Sequence, residues 1–301
     1  MSHFRNSTTH LKRKVAAAVR RAIVRSGLDE RLANFTHRAP PNSLLAKLVP
    51  DHTFYNPPHY RKIVRNGLQF ELDISDYMQW CAYFGIATEP REALYGLANA
   101  GMCVIDVGTN VGETVLNFSK RVGAAGVVHG FEVVPSTYER CRRNLDLNGI
   151  SNVVLNNVGL AHQKGRFPIE KPSVRNSGGD RLGTVEMGGE LTGETVEVTT
   201  LDDYVAAKHI SRIDLIKVDV EGFETNVLRG AMVTLSKFRP ALFVEVSDGS
   251  LRRQGSSGSE LIAFLTAQGY ECRHAETGAT VDAAYGFAGQ HFDVIARSRS
   301  H

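Results

Sequence analysis

From Met102 onward, short apolar runs alternate with longer amphipathic stretches. Val104-Ile105-Asp106-Val107, Val127 to Phe131, Val153 to Val158 and Ala241 to Val246 are dominated by β-branched, aliphatic and aromatic residues. Such runs suit strands buried on both faces of a parallel sheet. In Asp214 to Glu224, Ile216, Val218 and Val220 alternate with Lys217, Asp219 and Glu221, so strand geometry sends the two sets to opposite faces. Segments of helical composition lie between the strands: Glu113 to Arg121, Ser136 to Asn148, Phe223 to Leu235, and one opened by Leu201-Asp202-Asp203-Tyr204. This alternation predicts an α/β fold around a doubly wound, mostly parallel sheet.

The boundaries carry their own signals. Pro135 suits the first position of a helix, and Asn148-Gly149 suits its left-handed end. Asp202 and Asp203 are placed for the positive end of a helix dipole. Val196 to Thr200 reads as a short strand, whereas Lys171 to Glu194 is rich in glycine and polar residues and reads as a loop or insertion. Upstream, Arg61 to Arg65 and Leu68 to Ile74 are strand candidates joined by Asn66-Gly67, a strong hairpin signal. Asp73-Ile74-Ser75-Asp76 begins a helix carrying Tyr77, Trp80, Tyr83 and Phe84. Those rings suit a core, or a cover over a ligand site. A further helix is expected over Arg91 to Asn99.

The first residues differ in character. Leu11, Val15, Val19 and Ala22 recur at helical spacing among Lys12, Arg13, Lys14, Arg20, Arg21 and Arg25, with no acid before Asp29. A solvated or oligomer-contact helix fits this pattern, as does weak contact with an anionic membrane surface. Ala39-Pro40-Pro41-Asn42 and Asn56-Pro57-Pro58 break the chain. Three parts are therefore expected: a basic helical extension over 1–50, a hairpin and aromatic helix over 51–98, and the main domain over 99–301.

Composition narrows the function classes. The 301 residues carry a net charge of +3, which argues against obligatory nucleic-acid binding. Cys81, Cys103, Cys141 and Cys272 are scattered without CxxC spacing, which fits free thiols in a reducing cytoplasm. No stretch approaches the roughly 20 apolar residues of a membrane span.

The chemistry concentrates at strand ends. Asp106-Val107-Gly108-Thr109-Asn110-Val111-Gly112 is a strand-turn-helix junction, where open parallel sheets bind ligands. Asn110 stands where a dinucleotide fingerprint has its middle glycine, and no Gly-Lys-Ser/Thr of a phosphate loop follows. An acid with Gly108, Asn110 and Gly112 suits a ligand with a cationic amino-acid part, and S-adenosylmethionine is one. Glu132 ends the next strand about 20 residues on, where nucleotide-binding folds place the acid for ribose hydroxyls. Lys217 between acids at a parallel strand's end needs a partner or a function. An ion pair with Asp219 or Glu245 would supply one.

The segments VIDVGTNVGETV, FEVVPSTYERCRRNLDLNG, VEVTTLDDYV and DLIKVDVEGFETNVLRGA, followed by RPALFVEV, resemble an FkbM-type methyltransferase of the class I S-adenosylmethionine-dependent group. The resemblance covers about Arg61 to the C-terminus. It departs only at Glu132-Val133-Val134-Pro135, where Glu-Pro is more usual. It implies a Rossmann-like seven-stranded sheet with one antiparallel strand near the C-terminus, the last two strands being Tyr270 to His274 and Phe292 to Arg297. It implies that Asp106, Gly108, Asn110 and Gly112 cradle the methionine part of the cofactor, that Glu132 and Val133 hold the ribose region, and that Asn157 meets the adenine edge. Asp219 and Glu245 are the candidates for taking or orienting the acceptor's proton, with Lys217 tuning their charge or stabilising a developing oxyanion. The acids cluster here without a dedicated metal-ligand spacing, and no metal is assigned. The acceptor implied is a hydroxyl of a sugar, a glycan or a secondary metabolite.

Two other classes fit parts of the chain. A nicotinamide-dependent oxidoreductase shares Glu132 but not the Asn110 position. A non-catalytic membrane module would use the basic helix, but would not need Asp106, the glycines and Asp219 together.

Overall fold

The computed structural model describes residues 16–36, 43–85, 91–170, 175–183 and 191–299. The chain forms two compact units, one of residues 1–90 with 174–178, the other of 91–173 with 179–301.

In the first unit, Tyr60–Arg65 and Leu68–Asp73 pair as an antiparallel hairpin. Asn66 and Gly67 turn it with φ of 52° and 76°, the positive values that a tight two-residue connection requires. Leu68, Phe70 and Leu72 alternate inward. Asp76 caps the helix Tyr77–Phe84, its carboxylate accepting from Gln79 N, and Gly85 ends the helix at φ 64°. Tyr83 and Phe84 are fully buried, whereas Tyr77 is exposed and Trp80 donates its indole N–H to Pro50 O. The aromatic helix is thus core on one side and open on the other. Residues 16–26 are helical, as the basic periodicity predicts. Leu11 to Val15 and the break at Ala39 to Asn42 lie outside the described residues.

The second unit is built on a seven-stranded sheet. Its strands are β1 (Cys103–Val107), β2 (Val127–Phe131), β3 (Val153–Asn156), β4 (Leu215–Val218), β5 (Ala241–Ser247), β6 (Tyr270–His274) and β7 (His291–Ser298). They lie side by side in the order β6-β7-β5-β4-β1-β2-β3. All run parallel except β7, which pairs antiparallel with both β5 and β6. The expected Rossmann-like α/β sheet with one antiparallel strand is therefore present. Order reverses at β1, between β2 and β4, and a parallel sheet opens its ligand crevice at such a point. Ile105, Ile216, Val218, Leu242 and Val244 are fully buried beside Leu261 and Ile262. This explains why the central strands read as continuous apolar runs.

Helix α1 (Glu113–Val122) follows β1, and α2 (Pro135–Leu147) follows β2 with proline in its first turn, as expected. Five expectations need correction. The strand alternation read through Glu221 stops at Val218, so Asp219 and Glu221 lie in the turn beyond β4. The third strand stops at Asn156, short of Val158. The helix expected over Arg91 to Asn99 is only Glu92–Tyr95. The segment expected as a loop or insertion includes strand, and contributes to a second sheet of four strands, Gly159–Leu160, Gly165–Glu170, Arg181–Leu182 and Leu191–Thr199. A small apolar cluster of Val134, Ala161, Ile169, Leu182, Val196, Val198 and Phe223 forms around it. The helix read over Phe223 to Leu235 is two, α3 (Glu224–Arg229) and α4 (Met232–Phe238).

The interruption has a steric cause. A Cβ on Gly230 would lie 2.0 Å from Ala161 O, so only glycine lets the backbones meet there. Gly230→Ala is expected to cost about 2 kcal/mol through overpacking, read as a fall of several degrees in melting temperature. An unchanged melting temperature would show that the contact can relax. Asp202 is also redirected. Its carboxylate accepts from Val233 N at 3.0 Å and Thr234 N at 2.7 Å, capping α4 and not its own helix. Thr200 caps that helix, accepting from Asp203 N.

Candidate active site

The glycine turn leaves β1 at the switch point. Gly108 has φ 82°, and a Cβ on it would fall 2.0 Å from Asp219 O, so the turn and the end of β4 are in backbone contact. Asn110 takes φ 48°, a left-handed conformation that asparagine tolerates better than most residues. Its side chain accepts from Val111 N at 2.7 Å, which stabilises the same turn. Gly112, at φ 101°, leads into α1. Asparagine thus supplies the left-handed backbone that this turn requires.

Asp106 lies beneath the turn, fully buried. Thr114 Oγ1 donates to its Oδ2 at 2.6 Å, and Lys217 Nζ lies 3.4 Å from Oδ1. The strand register explains the pair, since Asp106 and Lys217 are direct neighbours across β1 and β4. Lys217 also donates to Gly108 O at 2.7 Å and reaches Asp219 Oδ2 at 3.3 Å. Of the two partners expected for Lys217, it takes Asp219, and Asp106 in addition. Burial works against its charge, yet Asp219 and Asp106 outweigh it and hold the ammonium above its ordinary value. For Asp106 burial prevails, and its carboxyl is raised despite Lys217 and Thr114. For Asp219 the balance falls the other way: burial is outweighed by Lys217 and Arg91, and the carboxyl is lowered. The Asp219 side chain keeps 30% of its exposure, so it is the member of this ion-pair chain that faces outward.

Glu132 stands at the end of β2, across the turn. Its Oε2 accepts from Asn110 N and its Oε1 from Val134 N, both at 2.9 Å. Burial pushes its carboxyl up to about 7, against those two hydrogen bonds and the Lys217 charge. Asn157 donates to Glu132 O at 2.8 Å and to Val133 O at 3.2 Å. Its amide nitrogen therefore braces the backbone that presents Glu132. The Val133 side chain packs against the small apolar cluster.

The turn after β4 is tightly held. Glu224, fully buried, accepts from Val220 N and Gly222 N, both at 3.0 Å. Glu221 between them has φ 57°, a costly value for a glutamate. Glu245, on β5, pairs its Oε1 with His291 Nε2 at 3.1 Å. Burial and neighbouring carboxylates push both Glu221 and Glu245 up to about 8. Burial also opposes the Arg91 charge. Glu113, Tyr95, Asp219 and Asp293 outweigh that effect and hold the guanidinium above its ordinary value.

The fold therefore gathers Asp106, Gly108, Asn110, Glu132, Lys217 and Asp219 around one turn, with Glu245 reaching the group from β5. Arg91, Glu221 and His291 belong to the same neighbourhood and were not singled out from the sequence. Arg91 had left a trace: a cation beginning a helix runs against the dipole's preference. His291 had none, because its place depends on the register of β7 against β5.

A family profile described as "Methyltransferase FkbM domain" matches residues 106–272, more than half of the chain and all of this site from Asp106 to Glu245. The chain belongs to the FkbM methyltransferase family. Among relatives, "Methyltransferase 1" of Beauveria bassiana is 28% identical over 143 residues, covering 42% of this chain and 57% of that protein. "Hexuronic acid methyltransferase AglP" of Haloferax volcanii is 29% identical over 125 residues, covering 42% and 48%. "2-O-methyltransferase NoeI" of Sinorhizobium fredii is 28% identical over 163 residues, covering 49% and 64%. In each case the match spans less than two thirds of the relative's own length. Among the described residues no helix is long and apolar enough to cross a membrane.

Proposed function

We propose that this FkbM family member is an S-adenosylmethionine-dependent O-methyltransferase acting on a hydroxyl of a sugar, a glycan or a secondary metabolite. The observation that carries the proposal is Glu132, which reaches Asn110 N across the glycine turn at the switch point of the sheet. A buried carboxylate anchored to that turn, with lone pairs left over, suits the paired hydroxyls of a ribose. The names of two relatives, a hexuronic acid methyltransferase and a 2-O-methyltransferase, support a sugar hydroxyl as acceptor. Four buried free thiols support a reducing, cytoplasmic setting.

Bound S-adenosylmethionine would supply a methyl group activated by its sulfonium, open to in-line displacement by an oxygen. The chain's part is alignment and charge. The turn from Gly108 to Gly112 would hold the amino-acid portion, with Asp106 and Lys217 fixing the turn from below. Asp219, the exposed end of the ion-pair chain, would face the reacting centre. Glu245 and Asp219 would orient the acceptor hydroxyl, whose proton leaves toward this acidic wall as its oxygen bonds to carbon. Lys217 is fully enclosed and donates to Gly108 O, so it would act by tuning Asp219 and not by meeting an oxyanion.

Calorimetric titration tests the proposal. S-adenosylhomocysteine should bind in the micromolar range while NAD does not; a folded chain that ignores S-adenosylhomocysteine would sink it. The affinity should also depend on pH through Glu132. The groups around this carboxyl are Lys217, Asp180 and Cys141. Its value rises from 4.5 to about 7 on folding, so without ligand it favours the folded state less as pH climbs through that window. Ribose hydroxyls that donate to it require the ionised form, so binding should strengthen with pH. S-adenosylhomocysteine should bind about tenfold more weakly at pH 6 than at pH 8. Glu132→Gln should bind weakly and without that slope.

A further inference from the structure

The ends of β4 and β5 converge on three carboxylates. One oxygen each from Asp219, Glu221 and Glu245 lies within 4.8 Å of the other two. We propose that these three residues form a site for a hard divalent cation, Mg2+ or Mn2+, beside the acceptor hydroxyl. The site's place in the reaction rests on the methyl-transfer reading above; its ability to bind a cation does not.

Proximity of acids is not sufficient, and Glu245 supplies the second observation. Its side chain is only 9% exposed, and Oε1 is the oxygen that meets His291. Oε2 is buried with no hydrogen-bond partner among the described residues. A carboxylate oxygen stripped of water and given no donor is costly, and native structures rarely leave one so. The cations nearby do not account for it. Lys217 is engaged by Asp106, Asp219 and the carbonyls of Val107 and Gly108, and no ion pair joins it to Glu221 or Glu245. Arg91 lowers the Asp219 carboxyl, and Arg181, whose charge is felt by Glu221, is paired with Glu170 at 3.0 Å.

The donor set selects the metal class. All three ligands are carboxylate oxygens, without thiolate, which suits Mg2+, Mn2+ or Ca2+ over softer ions. Oxygens around one such ion at about 2.1–2.4 Å stand roughly 3 to 4.8 Å apart, depending on whether they are adjacent or opposite. The observed cluster meets that condition with little movement. Asp219 and Glu221 are half-buried and Glu245 buried, so the group is closed behind and open in front. Three protein ligands leave room for water or an acceptor oxygen. A cation there would draw charge from that oxygen and ease loss of its proton. The linear sequence hides this set, because Glu245 lies on β5 and the other two in the turn after β4.

The test is calorimetric titration of Mn2+ into the full chain and into Glu221→Gln and Glu245→Gln, with a thermal melt of each as the control for folding and S-adenosylhomocysteine titrated into each. One Mn2+ per chain is expected in the micromolar range, weakened about tenfold or more in each variant. The proposal is overturned if a chain that binds S-adenosylhomocysteine shows no saturable Mn2+ uptake, or if both variants bind Mn2+ like the parent. Mn2+ uptake lost in the variants, in a chain that ignores S-adenosylhomocysteine, would support the cation site while removing the methyltransferase reading.

Discussion

Lys217→Met is expected to lower the melting temperature by roughly 10 °C and to abolish binding of S-adenosylhomocysteine. The side chain is 1% exposed and joins Asp106, Asp219 and Gly108 O. Methionine fills similar space but leaves Asp106 buried with one oxygen unpaired. Removing one member of a buried ion pair costs about 3–5 kcal/mol, and 1 kcal/mol moves the melting point of a domain this size by about 2–4 °C. The binding loss has a separate cause, since the carbonyl of Gly108 loses its donor and the glycine turn its support. The variant should recover partly in acid. Its buried Asp106 would hold a proton well above the ordinary value of 3.8, so its stability relative to the parent improves as pH falls. Adding Asp106→Asn should also restore part of the loss, because the unpaired charge is gone. If Lys217→Met kept its melting temperature and lost only turnover, Lys217 would belong to the acceptor side of the chemistry.

Asp219→Asn should behave in the opposite way, with a small change in stability and a large one in rate. Lys217 keeps Asp106 as a partner, and the Asp219 side chain is already 30% exposed, so the fold has little to lose. The negative charge facing the reacting centre disappears. A positioned acid or base typically contributes about 10²–10⁴ in rate, and kcat should fall by roughly that factor with a melting-temperature shift of only a few degrees. The split between kcat and cofactor affinity locates the charge. Weaker S-adenosylhomocysteine binding would place Asp219 against the cofactor, and unchanged binding would place it at the acceptor. A kcat within a few-fold of the parent would remove Asp219 from the machinery.

Lys217 and Asp219 also show how the sequence came to be readable in part. Both were conspicuous because charges interrupted an apolar strand, and burial makes an interrupted strand intelligible only if the charges have work. Their partners were harder to see. Lys217 meets Asp106 because β1 and β4 are neighbours in register, and nothing in either segment states that adjacency. Asp202 was legible as an acid at the positive end of its own helix, but not as the cap of α4, since that contact needs the return of the chain past Gly230. The polar stretch between Lys171 and Glu194 lacked the alternation that marks a strand. Its described parts include strand that completes a small second sheet.

The sequence by itself determined the α/β class, the hairpin at Asn66-Gly67, the strand-turn-helix at Asp106 to Gly112, the acid at Glu132 and the family. Each of these depends on local periodicity, on residues whose backbone preferences are strong, or on motifs that lie within one segment. Tertiary structure alone decided the order of the strands, the buried Lys217 link between Asp106 and Asp219, the place of Arg91 and His291, and the meeting of Glu245 with Asp219 and Glu221. Those contacts join side chains from segments far apart in the chain, and they exist only once packing of the apolar faces has set which strands lie side by side.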